Sequence, residues 1–67
     1  MKTKDLQANQ LYGDKDGVNM YYYVGKYGAG NLSEFKKADY DDEKQDFFPT
    51  NERIILTPDE VEKIKQW

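Results

Sequence analysis

The side chains of this sequence that are capable of chemistry are mostly carboxylates. The 67 residues include 13 aspartates and glutamates but no histidine and no cysteine. Ser-His-Asp and Cys-His nucleophilic systems, and ordinary zinc sites, need one of the two missing residue types. A carboxylate pair can still act as acid and base, but with this many acidic residues chance pairs are inevitable, and so short a chain rarely holds a deep pocket. The sequence therefore predicts a non-enzymatic protein without catalytic residues, cofactor or metal.

Two short motifs resemble ligand-binding loops, and both fail on spacing. Residues 14–17, DKDG, begin like a calcium loop, but the position that needs a glutamate, the twelfth, is Gly25. Gly28 and Gly30 match neither the GxxxxGK nor the GxGxxG pattern, and no helix start follows them. We interpret residues 14–17 as a hairpin turn, in which Gly17 supplies the positive φ, and residues 27–31 as a flexible loop.

Three of the six tyrosines stand together in residues 18–26, VNMYYYVGK, which form the strongest strand signal in the chain. Alternation along a strand separates two faces. The face that we assign to the core is apolar or aromatic and comprises Val18, Met20, Tyr22 and Val24. The other face would expose Tyr21 and Tyr23, which together with Tyr27 would form an aromatic patch for a partner. The alternative is that these tyrosines only pack against neighbouring strands.

A second candidate surface is the acidic run that comprises Asp39, Tyr40, Asp41, Asp42 and Glu43 and is extended by Asp46. Such runs are usually solvated loops, and we interpret residues 39–46 as a loop. The alternative is an electronegative surface that captures a basic partner. Tyr40 would then be the apolar anchor of that surface.

The remaining elements follow from local patterns. Residues 1–9 predict a loose lead-in or a short helical turn, and residues 10–13 a short strand that pairs with residues 18–26. Residues 32–38 have a spacing of three between apolar residues that suits a helix, but strand-like neighbours favour a strand. Pro49 ends a strand or lies on an edge strand, residues 50–51 predict a turn, and residues 52–56 a strand.

A C-terminal helix is predicted by several agreeing signals. Thr57 can cap it, Pro58 suits its first position, and Glu60 completes a capping box. Val61 and Ile64 are three residues apart and are expected to face a sheet. The sequence leaves two placements for Trp67, which can fold back onto that face and close the core or can dock elsewhere.

The sum is one small domain, residues 1–67, of mainly β (β+α) class. We expect four to five short strands with one C-terminal helix, forming either a small SH3-like barrel or a strongly curved antiparallel sheet. The order of apolar and aromatic segments along the chain resembles that of such barrels at the level of architecture. These segments are residues 11–12, residues 21–25, Phe35 and residues 54–56. The size and acidity resemble those of small bacterial and bacteriophage accessory proteins. No disulfide is available, and a core this small supplies no more than about 3–5 kcal/mol.

These features lead to three functional hypotheses. The first is a protein-interaction module that binds a protein partner through an aromatic surface. The second is an acidic inhibitor that occupies the basic nucleic-acid site of a host protein. The third, weak binding of single-stranded nucleic acid through tyrosines and lysines, is disfavoured by the net charge of −3. An exposed strand edge would also permit a homodimer. Without a long apolar run or a signal-peptide pattern, we expect a cytoplasmic protein that does not enter a membrane.

Overall fold

A computed structural model describes residues 2–14, 16–28 and 30–67 of the chain. Met1, Lys15 and Ala29, which belong to the predicted lead-in, hairpin turn and loop, lie outside the described residues. The elements in chain order are a 3-10 turn at Thr3–Asp5, β1 at Leu11–Gly13, β2 at Met20–Tyr27, β3 at Leu32–Asp41, β4 at Asp46–Leu56, α1 at Pro58–Glu62 and β5 at Lys65–Gln66.

The five strands form one antiparallel sheet in the order β4-β3-β2-β1-β5. This confirms the mainly β class with a single short C-terminal helix. The sheet curls, but β4 and β5 remain its two edges, so it does not close. Of the two predicted architectures, the strongly curved sheet is therefore correct and the closed barrel is not. Closure would need β4 to pair with β5, and β5 is only two residues long.

The hydrophobic core lies on one face of the sheet and is centred on Phe35, which is fully buried. The rings of Tyr12, Tyr21 and Tyr23 surround it, with centroids 6.3, 6.0 and 5.3 Å from its own. Edge-to-face and tilted contacts of this kind are favourable for aromatic rings. The other side of the core is closed by buried Leu56, Val61 and Ile64. Aromatic rings therefore supply much of the buried surface.

The predicted faces of residues 18–26 are correct for Met20, which is buried with 6% of its surface exposed, but wrong for the tyrosines and valines on either side of it. Tyr23 is buried with 9% of its surface exposed, and Tyr21 is partly buried against the core. Val18 and Val24, which we expected in the core, are 77% and 44% exposed. The tyrosines are drawn inward because Tyr23 pairs with Phe35, the centre of the core.

Helix α1 begins as the sequence predicts. The Thr57 hydroxyl accepts a hydrogen bond from the Glu60 N–H at 3.3 Å, and the Glu60 carboxylate accepts one from the Thr57 N–H at 3.0 Å. This capping box satisfies two backbone donors that have no partner within a helix. The helix is short, and Ile64 follows its end, yet Val61 and Ile64 are both buried against the sheet as expected.

The third and fourth strands differ from the prediction mainly in length. Residues 32–38 are a strand, as favoured, but β3 continues to Asp41, so the acidic run is a loop only at residues 42–45. Residues 50–51 do not form a turn, because β4 continues through them. The ladder instead shifts register there, and the Thr50 hydroxyl donates to the Lys37 carbonyl at 2.8 Å. Pro49 lies on this edge strand, as the missing N–H requires.

Ser33 is a buried polar residue whose replacement is expected to change the stability of the core. Its side chain is fully buried, and its hydroxyl has no hydrogen-bond partner among the described residues. A buried polar group without a partner costs about 1–3 kcal/mol, so Ser33→Ala is expected to raise the free energy of unfolding by about 1 kcal/mol in urea titrations. Thr50→Val is the control, because it removes a hydroxyl that is bonded and should destabilise. Destabilisation by Ser33→Ala would show that the hydroxyl is satisfied.

The hydrogen bonds of the turn between β1 and β2 should make the stability of the fold depend on pH. The Asp14 carboxylate accepts hydrogen bonds from the N–H groups of Val18 and Asn19 and from the Asn19 side chain, at 2.9, 3.3 and 3.0 Å. Desolvation raises the pKa of Asp14, but these hydrogen bonds outweigh it, and the pKa is lowered below its usual 3.8. A lowered carboxyl pKa stabilises the fold above the unfolded-state pKa, and this contribution is lost as the pH falls through the folded-state pKa.

We therefore expect the stability difference between the wild type and Asp14→Asn to shrink as the pH falls below about 4. Urea unfolding between pH 6 and pH 2 measures this difference. Asp16→Asn is the control, because it removes a charge from the same turn but none of these hydrogen bonds. A difference that is independent of pH would show that the Asp14 charge does not stabilise the turn.

Candidate protein-interaction surface

The far end of the β3–β4 hairpin projects beyond the core. Strand β2 pairs with β3 only as far as Ala38, and after that β3 and β4 pair with each other alone through residues 39–48. We call residues 39–48 the arm. It contributes to the elongated shape of the molecule, whose extents are 39 × 22 × 16 Å. The arm is a two-stranded ribbon with a four-residue turn at its tip, so both of its faces are open to a partner.

Aromatic side chains lie on both faces of the arm. Tyr40 pairs with Phe47 across the ladder, and their rings meet edge to face with centroids 5.0 Å apart. Phe48 points to the opposite face, where it pairs with Asp39. Tyr40 and Phe48 are 49% and 44% exposed. Exposed rings on a narrow ribbon have no other strand to cover them, which makes them candidate anchors for a partner.

Carboxylates flank these rings. Asp41 and Asp46 are directly opposite each other at the tip, an arrangement of like charges that destabilises a ladder. Asp41 Oδ1 accepts from the N–H groups of Glu43 and Lys44, at 3.0 and 3.4 Å, and Asp46 Oδ1 accepts from the N–H of Phe47 at 2.8 Å. These bonds fix the two carboxylates in place. Together with Lys44, Phe47 and Phe48 they line an open cavity of about 430 Å³.

The arm carries the negative charge of the protein. It contains five acidic residues and one lysine, for a formal charge of −4, whereas the whole chain has −3. The rest of the chain is therefore +1. Charge of one sign gathered on one projecting element attracts a partner of opposite sign and orients its approach.

A hydrogen bond ties the base of the arm to the sheet. The Tyr22 hydroxyl donates to the Phe47 carbonyl at 3.1 Å. Burial, and then the charge of Asp46, raise the pKa of Tyr22, so the phenol keeps the proton that this bond needs. The first half of β4 is thereby held to β2 as well as to β3.

The structure separates the two groups of predicted site residues. Asp39, Tyr40, Asp41, Asp42 and Glu43 lie together on the arm. Tyr21 and Tyr23 contribute to the core, so the exposed patch expected from them is absent. Tyr27 is 42% exposed but lies against Arg53, whose guanidinium carbon is 5.8 Å from the ring centroid. It pairs with Leu32, roughly 30 Å along β3 from the tip of the arm.

The aromatic residues of the arm that the sequence prediction missed are Phe47 and Phe48. The sequence did contain a pattern that could have identified them, because two adjacent phenylalanines follow the acidic run and precede a proline. Their role depends on the pairing of Tyr40 with Phe47, which joins residues from separate strands. The prediction of a loop at residues 39–46 hid that pairing.

The sheet face opposite the core is the second surface of interest, and we call it the outer face. The register places Leu11, Tyr22 and Lys36 in one row across it and Gly13, Met20 and Ala38 in the next. Trp67 covers one end, where it lies against Gly13 and Gly17. Of the two placements that the sequence left open, this is the one away from the helix face. Met20 and Ala38 are each only 6% exposed, so the more open part of the outer face lies around Tyr22, Val24 and Lys36.

The fold and the arm define a small, open, five-stranded β protein with a projecting acidic hairpin. No protein-family model, curated protein or solved structure matches the chain. In the described ranges, no group of three or more acidic side chains is placed to hold a metal ion. Over the same ranges, no helix has the length and apolar character to cross a membrane. Among the described residues, the arm and the outer face are therefore the candidate surfaces for an interaction.

Proposed function

We propose that this chain is a small, non-enzymatic protein-interaction module whose arm binds a basic surface of a partner protein. The observation that carries the proposal is the combination, on one projecting ribbon, of exposed aromatic rings with a formal charge of −4 in a chain whose net charge is −3. Interfaces draw most of their binding energy from a few aromatic or arginine anchors, surrounded by residues that exclude water. Charged groups at the rim then steer the encounter and select the partner.

The two components of the arm support different steps of binding. The carboxylates of Asp42 and Glu43 at the exposed tip act at long range and are screened by salt. The rings of Tyr40 and Phe48 act only on contact, by burying apolar surface. A basic protein surface with an apolar depression satisfies both requirements.

A second candidate is an inhibitor that inserts the arm into the nucleic-acid site of a host protein. The specific observation in its favour is the shape of the arm, which is narrow and carries carboxylates on both strands. Alternate residues such as Asp39 and Asp41 share one face and are roughly 7 Å apart along β3. A row of negative charges on an extended ribbon is the feature that a basic nucleic-acid groove recognises through phosphates.

Neutralising the arm is expected to weaken partner binding by at least about tenfold without unfolding the protein. The variant carries Asp39→Asn, Asp41→Asn, Asp42→Asn and Glu43→Gln, and the new amide at position 41 retains an oxygen that can accept the turn hydrogen bonds. Each exposed charge is worth about 0.2–1 kcal/mol, and about 1.4 kcal/mol corresponds to tenfold in affinity. Affinity capture from a lysate of the source organism, followed by titration of the purified partner, measures the effect.

The matched control carries Asp5→Asn, Asp16→Asn, Asp59→Asn and Glu52→Gln, which change the net charge equally but lie outside the arm. A further variant, Tyr40→Ala with Phe48→Ala, removes the rings and leaves the charges. The proposal is wrong if the arm variant and the control variant bind equally well. If a captured partner binds nucleic acid, competition by an oligonucleotide and a steep fall in affinity with salt support the inhibitor function, and their absence excludes it.

A further inference from the structure

A groove crosses the outer face of the sheet at a distance from the tip of the arm. It has a volume of about 440 Å³, with Ala8 and Asn9 at one end and Pro49 at the other. Tyr22, Tyr23 and Val24 line it on β2, and Lys36 lines it on β3. Neighbouring strands lie about 4.8 Å apart, so the groove spans roughly 14 Å, which is the length of four or five extended residues.

Lys36 is the unusual member of this groove. It is half-buried, yet its ammonium group has no ion pair or hydrogen bond among the residues that the structure describes. Its cross-strand neighbour Arg53 is also a cation, and Arg53 is already held by Glu34 through bonds of 3.0 and 3.1 Å. Like charges directly opposite each other destabilise a ladder. An anion beside Lys36 would offset that repulsion.

The other residues that line the groove indicate which chemical groups a ligand would need besides an anion. Val24 is 44% exposed, and the side chains of Ala8, Pro49 and the Tyr22 ring add apolar surface around it. Asn9, which is exposed at one end, offers a side-chain amide that can donate and accept. Apolar walls with one cation and one amide match an extended peptide, whose backbone, apolar side chains and carboxylate have separate partners here.

We propose that this groove is a second binding site, for a short extended peptide that carries a carboxylate between apolar side chains. The site is independent of the arm, since the groove and the tip of the arm share no lining residue. The chain would then have two surfaces of opposite preference, an acidic arm for basic surfaces and a groove for acidic peptides. A protein with two such surfaces can bring two partners together.

The test is selection of a random heptapeptide library displayed on phage against the purified wild-type protein. We expect enrichment of peptides with aspartate or glutamate flanked by aliphatic residues. A synthetic copy of the most enriched peptide is then titrated by fluorescence anisotropy. Lys36→Met, which keeps most of the stem and removes the charge, is expected to weaken binding at least about tenfold. Val24→Asp, at an exposed position in the groove, is expected to weaken it as well.

Lys37→Met is the matched control, because Lys37 is the next residue along β3, points to the other face and pairs weakly with Glu52 at 4.0 Å. We expect this variant to bind the peptide about as tightly as the wild type. No enrichment, enrichment without carboxylates, equal binding to Lys36→Met, or preference for an oligothymidylate over the selected peptide would each overturn the proposal. The arm variant should bind the selected peptide unchanged, so failure of this site and failure of the arm are distinguishable.

Discussion

Phe35→Ala is expected to unfold the protein. Phe35 is fully buried and is in ring contact with Tyr12, Tyr21 and Tyr23. Replacing a buried phenylalanine with alanine costs about 3–5 kcal/mol, because the lost transfer energy adds to the cost of the cavity. A domain of this size has a net stability of about the same magnitude. Circular dichroism and urea titration should therefore show no cooperative transition.

The control for this prediction is Phe48→Ala. It deletes the same number of atoms from the arm, where the ring is 44% exposed, and we expect a change within about 0.5 kcal/mol. Phe35→Leu is the intermediate case, which keeps an apolar side chain and should leave a folded but less stable protein. A cooperative transition of Phe35→Ala close to that of the wild type would show that the core does not depend on this ring.

Gly13→Ala is expected to displace Trp67 from the sheet. A Cβ at Gly13 would overlap with Trp67 Nε1 and lie 2.7 Å from Met20 Sδ, and neither contact is tolerated without a shift. Because the indole is 54% exposed, it can move outward more easily than the strand can move. We expect a loss of about 1–3 kcal/mol, the usual cost of overpacking, and a red shift of the fluorescence of this single tryptophan.

A double-mutant cycle identifies the cause. In a Trp67→Ala background, Gly13→Ala should cost less than in the wild type, since the clash with the indole is gone and only the contact with the flexible end of Met20 remains. Gly25→Ala is the matched control, because no heavy atom lies within 4 Å of its added Cβ. The same cost of Gly13→Ala with and without Trp67 would show that the indole is not the obstacle.

The way Trp67 is held explains why this contact matters for the fold. The Trp67 N–H donates to the Leu11 carbonyl at 3.1 Å, and the Trp67 carbonyl accepts from the Gln10 side chain at 3.1 Å. The Lys65 ammonium lies 4.9 Å from the indole centroid, a cation–π contact. These contacts attach β5, which is two residues long, to β1. Displacing the indole should therefore loosen the β5 edge of the sheet first.

Local chemistry determined the parts of the fold that the sequence predicted well. The capping box at Thr57 and Glu60 involves residues only three positions apart, so the start of α1 does not depend on the rest of the chain. The positive φ of Gly17 in the β1–β2 turn, 72°, likewise follows from the residue type. Strands rich in β-branched and aromatic residues were recognised for the same reason, and so the mainly β class was correct.

Contacts between distant residues decided what local chemistry left open. The alternation of side chains along β2 gives the strand two faces but does not show which of them is buried. Composition does not decide it either, because both faces carry tyrosine. Phe35, from the next strand along the chain, pairs with Tyr23, and this pairing buries the face of β2 that carries Tyr21 and Tyr23. The acidic run became the arm because Tyr40 meets Phe47 across the ladder. Trp67 lies over Gly13 because a glycine in β1 leaves room for an indole. The sequence by itself thus predicted most of the elements and singled out the acidic run, but not β5 or the full length of β3 and β4. Only tertiary packing decided which aromatic residues are exposed beside that run, because the pairing of distant strands buries one ring and leaves another open.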